Sequence, residues 1–330
     1  QKQKQAAISA LHSMERNAET AKMERQMEQE NWDGMIATAL GCKQPSRSVA
    51  CYYAIALMQT DRITTNLFDI PFQYPDMNLK DRVGKYDNGV DYYAADGDFF
   101  AGLLNTSYHE SMENTVIDGP TVKRCKRMFL CALLNGETSL AEKYLHLVSC
   151  VPFENGFVEK YKKMVADSEL MKSDANLAKV AELQPVQDSF EQDYRTPYFI
   201  GYNVAAKSGR SERALKNSMV ACLYAKFLPD FCSRLSGMSG QPLTSNFEEA
   251  ALLFSMKNAQ FAKLFKPNPL TVQRVKQMMN EAGQYQGMDK KDVARKLWPA
   301  SRSSYPYYYF YGNLPEKSKS EASEEKGGVN

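Results

Sequence analysis

Breaks in the apolar helical pattern recur along this chain at a nearly constant interval. The intervals are 35–39 residues, and the breaks fall at Asp61, Gly97, Gly136, Asp174, Gly209 and near Asn246. A period in the mid-thirties is typical of stacked helix–turn–helix units, each of which needs a neighbour to bury its apolar face. The spacing therefore predicts an all-α fold, an α-solenoid of about five or six helix pairs.

Two of the breaks have the residue pattern of a tight helix hairpin. Gly136 and Gly209 each follow an apolar helical segment, and Ala141 and Ala214 lie five residues after them. Glycine permits the left-handed conformation that ends the first helix, and the small alanine lets the second helix pack closely. This arrangement resembles tetratricopeptide repeats, which implies paired helices and a concave, peptide-binding surface. The alternative is an irregular helical bundle whose breaks are evenly spaced by coincidence.

A longer resemblance is carried by four segments. In chain order they are Val49–Phe72, Arg127–Leu147, Phe247–Leu253 and Tyr305–Tyr311, and they cover roughly residues 30–312. They are similar to the soluble C-terminal part of an uncharacterised bacterial family that joins a multi-spanning membrane region to tetratricopeptide-like helices. The resemblance implies membrane association through an upstream segment absent from this chain, and it implies no particular activity.

The pattern divides the chain into three parts. Residues 1–30 predict one polar helix, either a stalk from an upstream segment or a solvated lead-in. We expect residues 31–312 to form the repeat domain, and residues 313–330, rich in Ser, Glu, Lys and Gly, to be a disordered tail. The chain begins with Gln1, which favours a processed product or a fragment. The weak apolar stripe of the first helix recurs every three or four residues, at Ala7, Leu11, Met14, Ala18 and Ala21.

Charge and hydropathy argue against two kinds of target. The 330 residues carry a formal net charge of +2, so no overall basic field would recruit nucleic acid or an anionic bilayer. A membrane-spanning helix needs about 20 consecutive apolar residues. The longest apolar runs, such as Val49–Met58, are too short for that.

The cysteines predict free thiols. The chain has 7 of them, without any Cys-x-x-Cys pair. Cys51, Cys125, Cys131 and Cys222 lie in apolar helical patterns, where a thiol behaves as a small buried hydrophobe. This usage points to a reducing compartment.

The remaining motifs predict no catalytic, cofactor-binding or metal-binding residues. His12, His109 and His146 have no His or Cys at metal-ligand spacing. Ser239 lies in the run Ser236–Gly240, which lacks the Gly-x-Ser-x-Gly pattern and a preceding strand, so an inter-helix loop is expected there. Glycine motifs for phosphate or dinucleotide binding are absent from the sequence.

The most acidic stretch is a weak candidate for a cation loop. It contains Asp87, Asn88, Gly89, Asp91 and then Asp96–Asp98. Calcium takes about six to eight oxygen ligands, and the spacing of an EF-hand loop is missing here. Because Asp, Asn and Gly also favour turns, we expect a turn-rich loop without an ion.

An aromatic run closes the apolar part of the chain at Tyr305–Tyr311. One interpretation is a structural cap that covers the last helix pair of the stack. The other is an exposed aromatic platform for a peptide or a sugar. The sequence favours the cap, because this run is the only apolar material after Trp298.

The predicted role is a non-catalytic scaffold or adaptor that binds a protein or peptide on its concave face. The membrane-associated architecture of the similar family implies that such a domain is tethered by sequence outside this chain. The alternative function is a regulatory or substrate-handling domain of a membrane enzyme or transporter encoded upstream. Neither hypothesis needs a cofactor, and neither identifies the side of the membrane or the oligomeric state.

Overall fold

The computed structural model of the protein describes residues 18–74, 77, 79, 93–185, 211–238, 240 and 242–314. Every regular element of these residues is helical, and none of them lies in a strand, which confirms the predicted all-α class. The first helices are α1 (18–28), α2 (Trp32–Gly41), α3 (Arg47–Gln59), α4 (Ile63–Asn66), α5 (Tyr93–Phe100) and α6 (Leu104–Asp118). They are followed by α7 (Val122–Leu134), α8 (Thr138–Ser149), α9 (Asn155–Ala166), α10 (Ser168–Ser173) and α11 (Ala175–Leu183). The last are α12 (Glu212–Tyr224), α13 (Leu228–Arg234), α14 (Ser245–Ser255), α15 (Ala259–Leu264), α16 (Pro269–Gly283), α17 (Lys290–Ser301) and α18 (Tyr305–Tyr311).

Helix α3 forms the centre of the core. It begins at Ser46, whose hydroxyl accepts a hydrogen bond from the Val49 amide at 3.3 Å, as expected of an N-cap serine. Every residue from Ser48 to Gln59 is buried. A helix that is buried on all sides must be surrounded by other elements, and α2, α4 and α5 pack around it.

Five helix hairpins of the described residues share one turn geometry. In the α7–α8 hairpin the Gly136 amide donates to the Leu133 carbonyl at 3.1 Å and the Glu137 amide to the Ala132 carbonyl at 2.9 Å. This pair of bonds closes the first helix with one left-handed residue. The left-handed residues have φ between 55° and 83°, and they are Glu30, Asp61, Gly102, Gly136 and Lys226.

The predicted breaks agree with this geometry only in part. Asp61 and Gly136 occupy turns as predicted, and Asp174 caps the start of α11. The break at Gly97 is wrong, because Gly97 lies inside α5 and the chain turns at Gly102 instead. The break expected near Asn246 lies just before this residue, since the connecting segment ends at Thr244, the N-cap of α14. Gly209 lies outside the described residues.

The helix pairs do not form a strictly open stack. Asp61, in the α3–α4 turn, pairs with Lys179 of α11 at 3.0 Å and with Arg213 of α12. At Gly102, an added Cβ would lie 2.6 Å from the backbone of Leu183, so the α5–α6 turn touches the end of α11. These contacts join segments about 80 residues or more apart, whereas the units of a simple solenoid contact only their neighbours.

The aromatic helix α18 fills an interior position. The Tyr308 ring stacks on Phe68 at a centroid distance of 4.5 Å and also contacts Tyr224. Just after it, the Asn313 amide donates to the Phe72 carbonyl at 2.9 Å. The run is therefore structural, and it joins the C-terminal end of the described chain to Phe68, Phe72 and Tyr224 in addition to covering the final helices. Asn313 belongs to this body, and residues 315–330 of the predicted tail lie outside the described residues.

The first described helix also belongs to the body. Met23 and Met27 of α1 are buried in the core, and Thr20 bonds to Ser48 of α3 at 2.8 Å. The predicted boundary at residue 30 coincides with the α1–α2 turn, and residues 1–17, with most of the predicted apolar stripe, lie outside the described residues. In the part of the chain that the structure describes, no helix is long and apolar enough to cross a membrane.

We predict that Gly136→Val destabilises the protein by about 1–2 kcal/mol, because a β-branched residue is strained at φ +73°. No steric clash contributes, since the added Cβ would meet nothing within 4 Å. The control is Gly156→Val, at an equally open position in α9 without a positive φ. Urea denaturation should show a lower midpoint for the first variant only, and equal midpoints would contradict the assignment of Gly136 as a helix stop.

We predict that Tyr308→Ala lowers the free energy of unfolding by about 3–5 kcal/mol, as expected for a truncated buried aromatic ring. Tyr308 is 3% exposed. Tyr311, which is only partly buried, is the control, and its alanine variant should lose less. Thermal melts that are unchanged in both variants would instead support an exposed aromatic platform.

Candidate functional site

A cleft of about 690 Å³ with a partly apolar lining lies among the described residues. Helices α1, α5, α7, α9 and α11 and the start of α2 form its walls. Its floor contains charged side chains and its walls contain aromatic ones. The residues on which the argument depends are Glu28, Trp32, Asp96, Lys123, Arg127 and Phe153.

The floor is built around the carboxylate of Asp96, which is 1% exposed. Arg127 donates to it from Nε at 3.1 Å and from Nη2 at 2.7 Å. The Tyr52 hydroxyl donates to it at 2.9 Å, and the Lys123 ammonium lies 3.0 Å away. The carboxylate is therefore fully enclosed by donors from α3 and α7.

Local helix geometry places these groups. Thr121 caps α7 through its hydroxyl, which accepts from the Arg124 amide. Lys123 and Arg127 are four residues apart on α7, so they lie one above the other on the same face. Asp96 lies in the first turn of α5, where a carboxylate also interacts favourably with the helix dipole.

The electrostatics of the floor fix its protonation. Burial alone would raise the pKa of Asp96, but the charges of Lys123 and Arg127 and the hydrogen bonds hold it below its usual range. Burial opposes the charge of Lys123, yet Asp96 and Glu24 raise the pKa of its ammonium. Burial, together with the Asp96 charge, raises the pKa of Tyr52 far above its usual value. At neutral pH the carboxylate is ionised, the lysine is protonated and the tyrosine is neutral.

Arg127 is held by aromatic rings as well as by Asp96. Its guanidinium carbon lies 4.1 Å from the ring centroid of Phe99 and 5.4 Å from that of Phe100. The buried Nη1 atom has no hydrogen-bond partner among the described residues. The cation–π contact partly compensates for this missing hydrogen bond.

Two further lysines form ion pairs on the aromatic walls of the cleft. Lys126 pairs with Glu154 at 2.6 Å and lies 5.1 Å from the ring centroid of Phe157. Lys160 lies 2.7 Å from Glu30 and 3.1 Å from Asp174. The walls of the cleft are therefore made of ion pairs placed over aromatic surfaces.

Helix α1 is fastened to the other walls by polar contacts. Lys123 forms an ion pair with Glu24 of α1. Just beyond α1, the indole nitrogen of Trp32 donates to the side-chain oxygen of Asn176 at 3.1 Å. The Trp32 ring packs edge-on against Phe100 with centroids 5.7 Å apart. These contacts place Trp32 inside the cleft as a fixed aromatic side chain.

The sequence candidates for chemistry lie elsewhere. His109 on α6 and His146 on α8 are exposed, and neither lines the cleft. Asp96 and Asp98, expected in a loop, lie in α5 and are buried. This expectation is wrong because their helix continues to Phe100 and the chain turns only at Gly102. His12, Ser239, Asp87, Asn88, Gly89 and Asp91 lie outside the described residues.

The cysteines follow the predicted pattern closely. Cys51, Cys131 and Cys222 are buried and none of them is in a disulfide, whereas Cys125 is only partly buried. Burial raises the pKa of the Cys131 thiol to about 12, so this thiol is protonated at neutral pH and unreactive.

Sequence reasoning missed the residues of the floor. The sequence did contain a signal for them. Lys123 and Arg127 are four residues apart in a helical segment, on a face whose other residues are mostly buried. A buried cation needs a carboxylate partner. Asp96, flanked by apolar residues in α5, was a candidate for that partner.

We predict that the stabilising effect of Asp96 depends on pH in a defined direction. A carboxylate with a lowered folded-state pKa stabilises the fold above its unfolded pKa of about 3.9, and this contribution is lost as the pH falls below that value. The difference in unfolding free energy between wild type and Asp96→Asn should be constant above pH about 6 and shrink below pH about 4. Urea denaturation at each pH measures it, and a difference independent of pH would contradict the ion-pair account.

The comparisons with known proteins give a family and nothing more specific. No curated protein and no solved structure matches this chain. The model of a family of unknown function (DUF6057) matches residues 1–312, which include every helix of the described structure and the whole cleft. The chain therefore belongs to this family of unknown function, DUF6057.

Proposed function

We propose that this protein is a non-catalytic interaction module, a scaffold or adaptor whose partner docks a peptide segment in the cleft. The observation that carries the proposal is the position of the cleft. It is lined by the first helices of the α1–α2, α5–α6 and α7–α8 hairpins, together with α9 and α11. In stacked helix pairs, the helices on one side of each pair build the concave binding surface.

The recurrent turns support a tetratricopeptide-like arrangement. Four of the left-handed turn residues follow one another at 30, 61, 102 and 136, a spacing close to that of stacked helix pairs. The contacts of Asp61 with α11 and α12 curve the array back on itself. We therefore propose an α-solenoid-like array with a closed shape, whose concave side contains the cleft.

The protonation states support binding over catalysis. General acid–base catalysis works best with groups whose pKa lies near the working pH. The pKa values of Asp96, Lys123 and Tyr52 are all shifted away from neutrality. Their mutual hydrogen bonds also hold these side chains in fixed positions, which favours a rigid docking surface.

A membrane-associated setting is part of this proposal. The support is the resemblance of the helical segments to a family that joins such repeats to a membrane region. In that setting the cleft would bring a partner protein to the membrane surface.

We predict that Gly156→Trp blocks partner binding. Gly156 lines the cleft, is exposed, and has open space around the position of an added Cβ, so an indole there should fill the cleft without disturbing the core. Affinity capture with the full chain should recover the partner at least about tenfold less than wild type, since the loss of a small apolar docking contact already weakens binding that much.

The matched control is Gly283→Trp. Gly283 is also helical, has equally open surroundings and lies outside the cleft. Both variants should melt at the wild-type temperature. If the two variants capture the same proteins in the same amounts as wild type, the partner binds at another surface and the proposal fails.

A further inference from the structure

Phe153 lies at the rim of the cleft, and its backbone has a left-handed conformation that is unfavourable for a bulky residue. Its backbone has φ 71°, which is uncommon for any residue other than glycine and a genuine outlier for a bulky one. Its side chain is 101% exposed although it lines the cleft. Strained conformations of this kind cluster at binding sites, and an exposed ring gains stability only when a partner covers it.

The charges of the floor cancel. Glu24 and Asp96 supply two negative charges, and Lys123 and Arg127 supply two positive ones. All four groups are already paired, so an incoming ion would have to break an existing bond. The floor therefore does not select the charge of a ligand.

The cleft lining carries an excess of one negative charge, because it holds six carboxylates and five basic side chains, of which Arg25 lies three residues before Glu28 on α1. Lys160 shares its single charge between Glu30 and Asp174. Glu28 is exposed, lines the cleft and forms no ion pair with the residues that the structure describes. It is also the last residue of α1, where the helix dipole is negative and a carboxylate is unfavourable. A cation bound there would pair with Glu28 and would also interact favourably with the negative end of the helix dipole.

We propose that the cleft binds an extended peptide segment in which a basic side chain lies next to an apolar one. The basic group pairs with Glu28 at the end of α1, and the apolar group packs against Phe153. This inference rests on the proposed function and names the chemistry of the docked segment. An acidic segment fits less well, because the cleft lining carries six carboxylates and five basic side chains, and four of the five basic side chains (all but Arg25) are in ion pairs.

Tryptophan fluorescence reports binding directly. The chain has 2 tryptophans, and Trp32 lines the cleft whereas Trp298 packs against Tyr307. In a Trp298→Phe background of the full chain, Trp32 is the remaining reporter. The probes are a seven-residue peptide with two lysine–phenylalanine pairs separated by glycines, and the same peptide with glutamate or glutamine in place of lysine.

The lysine peptide should bind at least about tenfold more tightly than the glutamate peptide at low salt, and the ratio should fall as salt screens the charges. Glu28→Gln should reduce that preference about threefold, in the range of an exposed charge pair. Phe153→Ala should weaken all three peptides without lowering the melting temperature. The matched controls are Glu142→Gln and Leu270→Ala, which are exposed outside the cleft and should change nothing.

The inference is overturned if the glutamate or glutamine peptide binds as tightly as the lysine peptide, or if the lysine peptide leaves the emission of Trp32 unchanged up to about 1 mM. The proposed function has a separate outcome. If Gly156→Trp still abolishes partner capture in either case, the cleft remains the docking site and only the basic–apolar preference is wrong.

Discussion

The enclosed carboxylate of Asp96 connects the elements around which the candidate site is built. It ties α5 to α3 through Tyr52 and to α7 through Arg127 and Lys123. Removing one partner from such a cluster leaves a buried charge without compensation, which typically costs about 3–5 kcal/mol. The cluster thus fixes the relative positions of three helices and at the same time forms the floor of the cleft.

The same cluster explains why α1 belongs to the body. Its helix is mostly polar, and its buried apolar side chains among the described residues are the two methionines Met23 and Met27. Lys123 extends the Asp96 cluster to Glu24, and Lys160 reaches Glu30 just after the helix. A helix with such a narrow apolar stripe is held in place by ion pairs in addition to packing, and it becomes one wall of the cleft.

The sequence was sufficient for the fold class and for part of the hairpin pattern. Gly136 could be predicted because a glycine that follows an apolar helical segment commonly ends the helix. Lys226 and Glu30 occupy turns of the same left-handed kind, but their residue types do not indicate it. Gly97 misled the periodicity because a glycine can also lie inside a helix whose neighbours bury it. The position of α18 against Phe68 and Tyr224 depends on contacts between distant segments, which a local pattern does not encode. For the same reason Asp96 was predicted in a loop, although Arg127, its main partner, is about 30 residues away along the chain.

The central claim is that the partner lies in the cleft, and site-specific photo-crosslinking tests it most directly. A photoreactive amino acid is introduced at position 156, inside the cleft, or at position 283, outside it, in the otherwise wild-type 330-residue chain. After irradiation with the captured partner present, the account predicts a covalent adduct from position 156 and none from position 283. Equal adducts from both positions, or an adduct from position 283 alone, would contradict it.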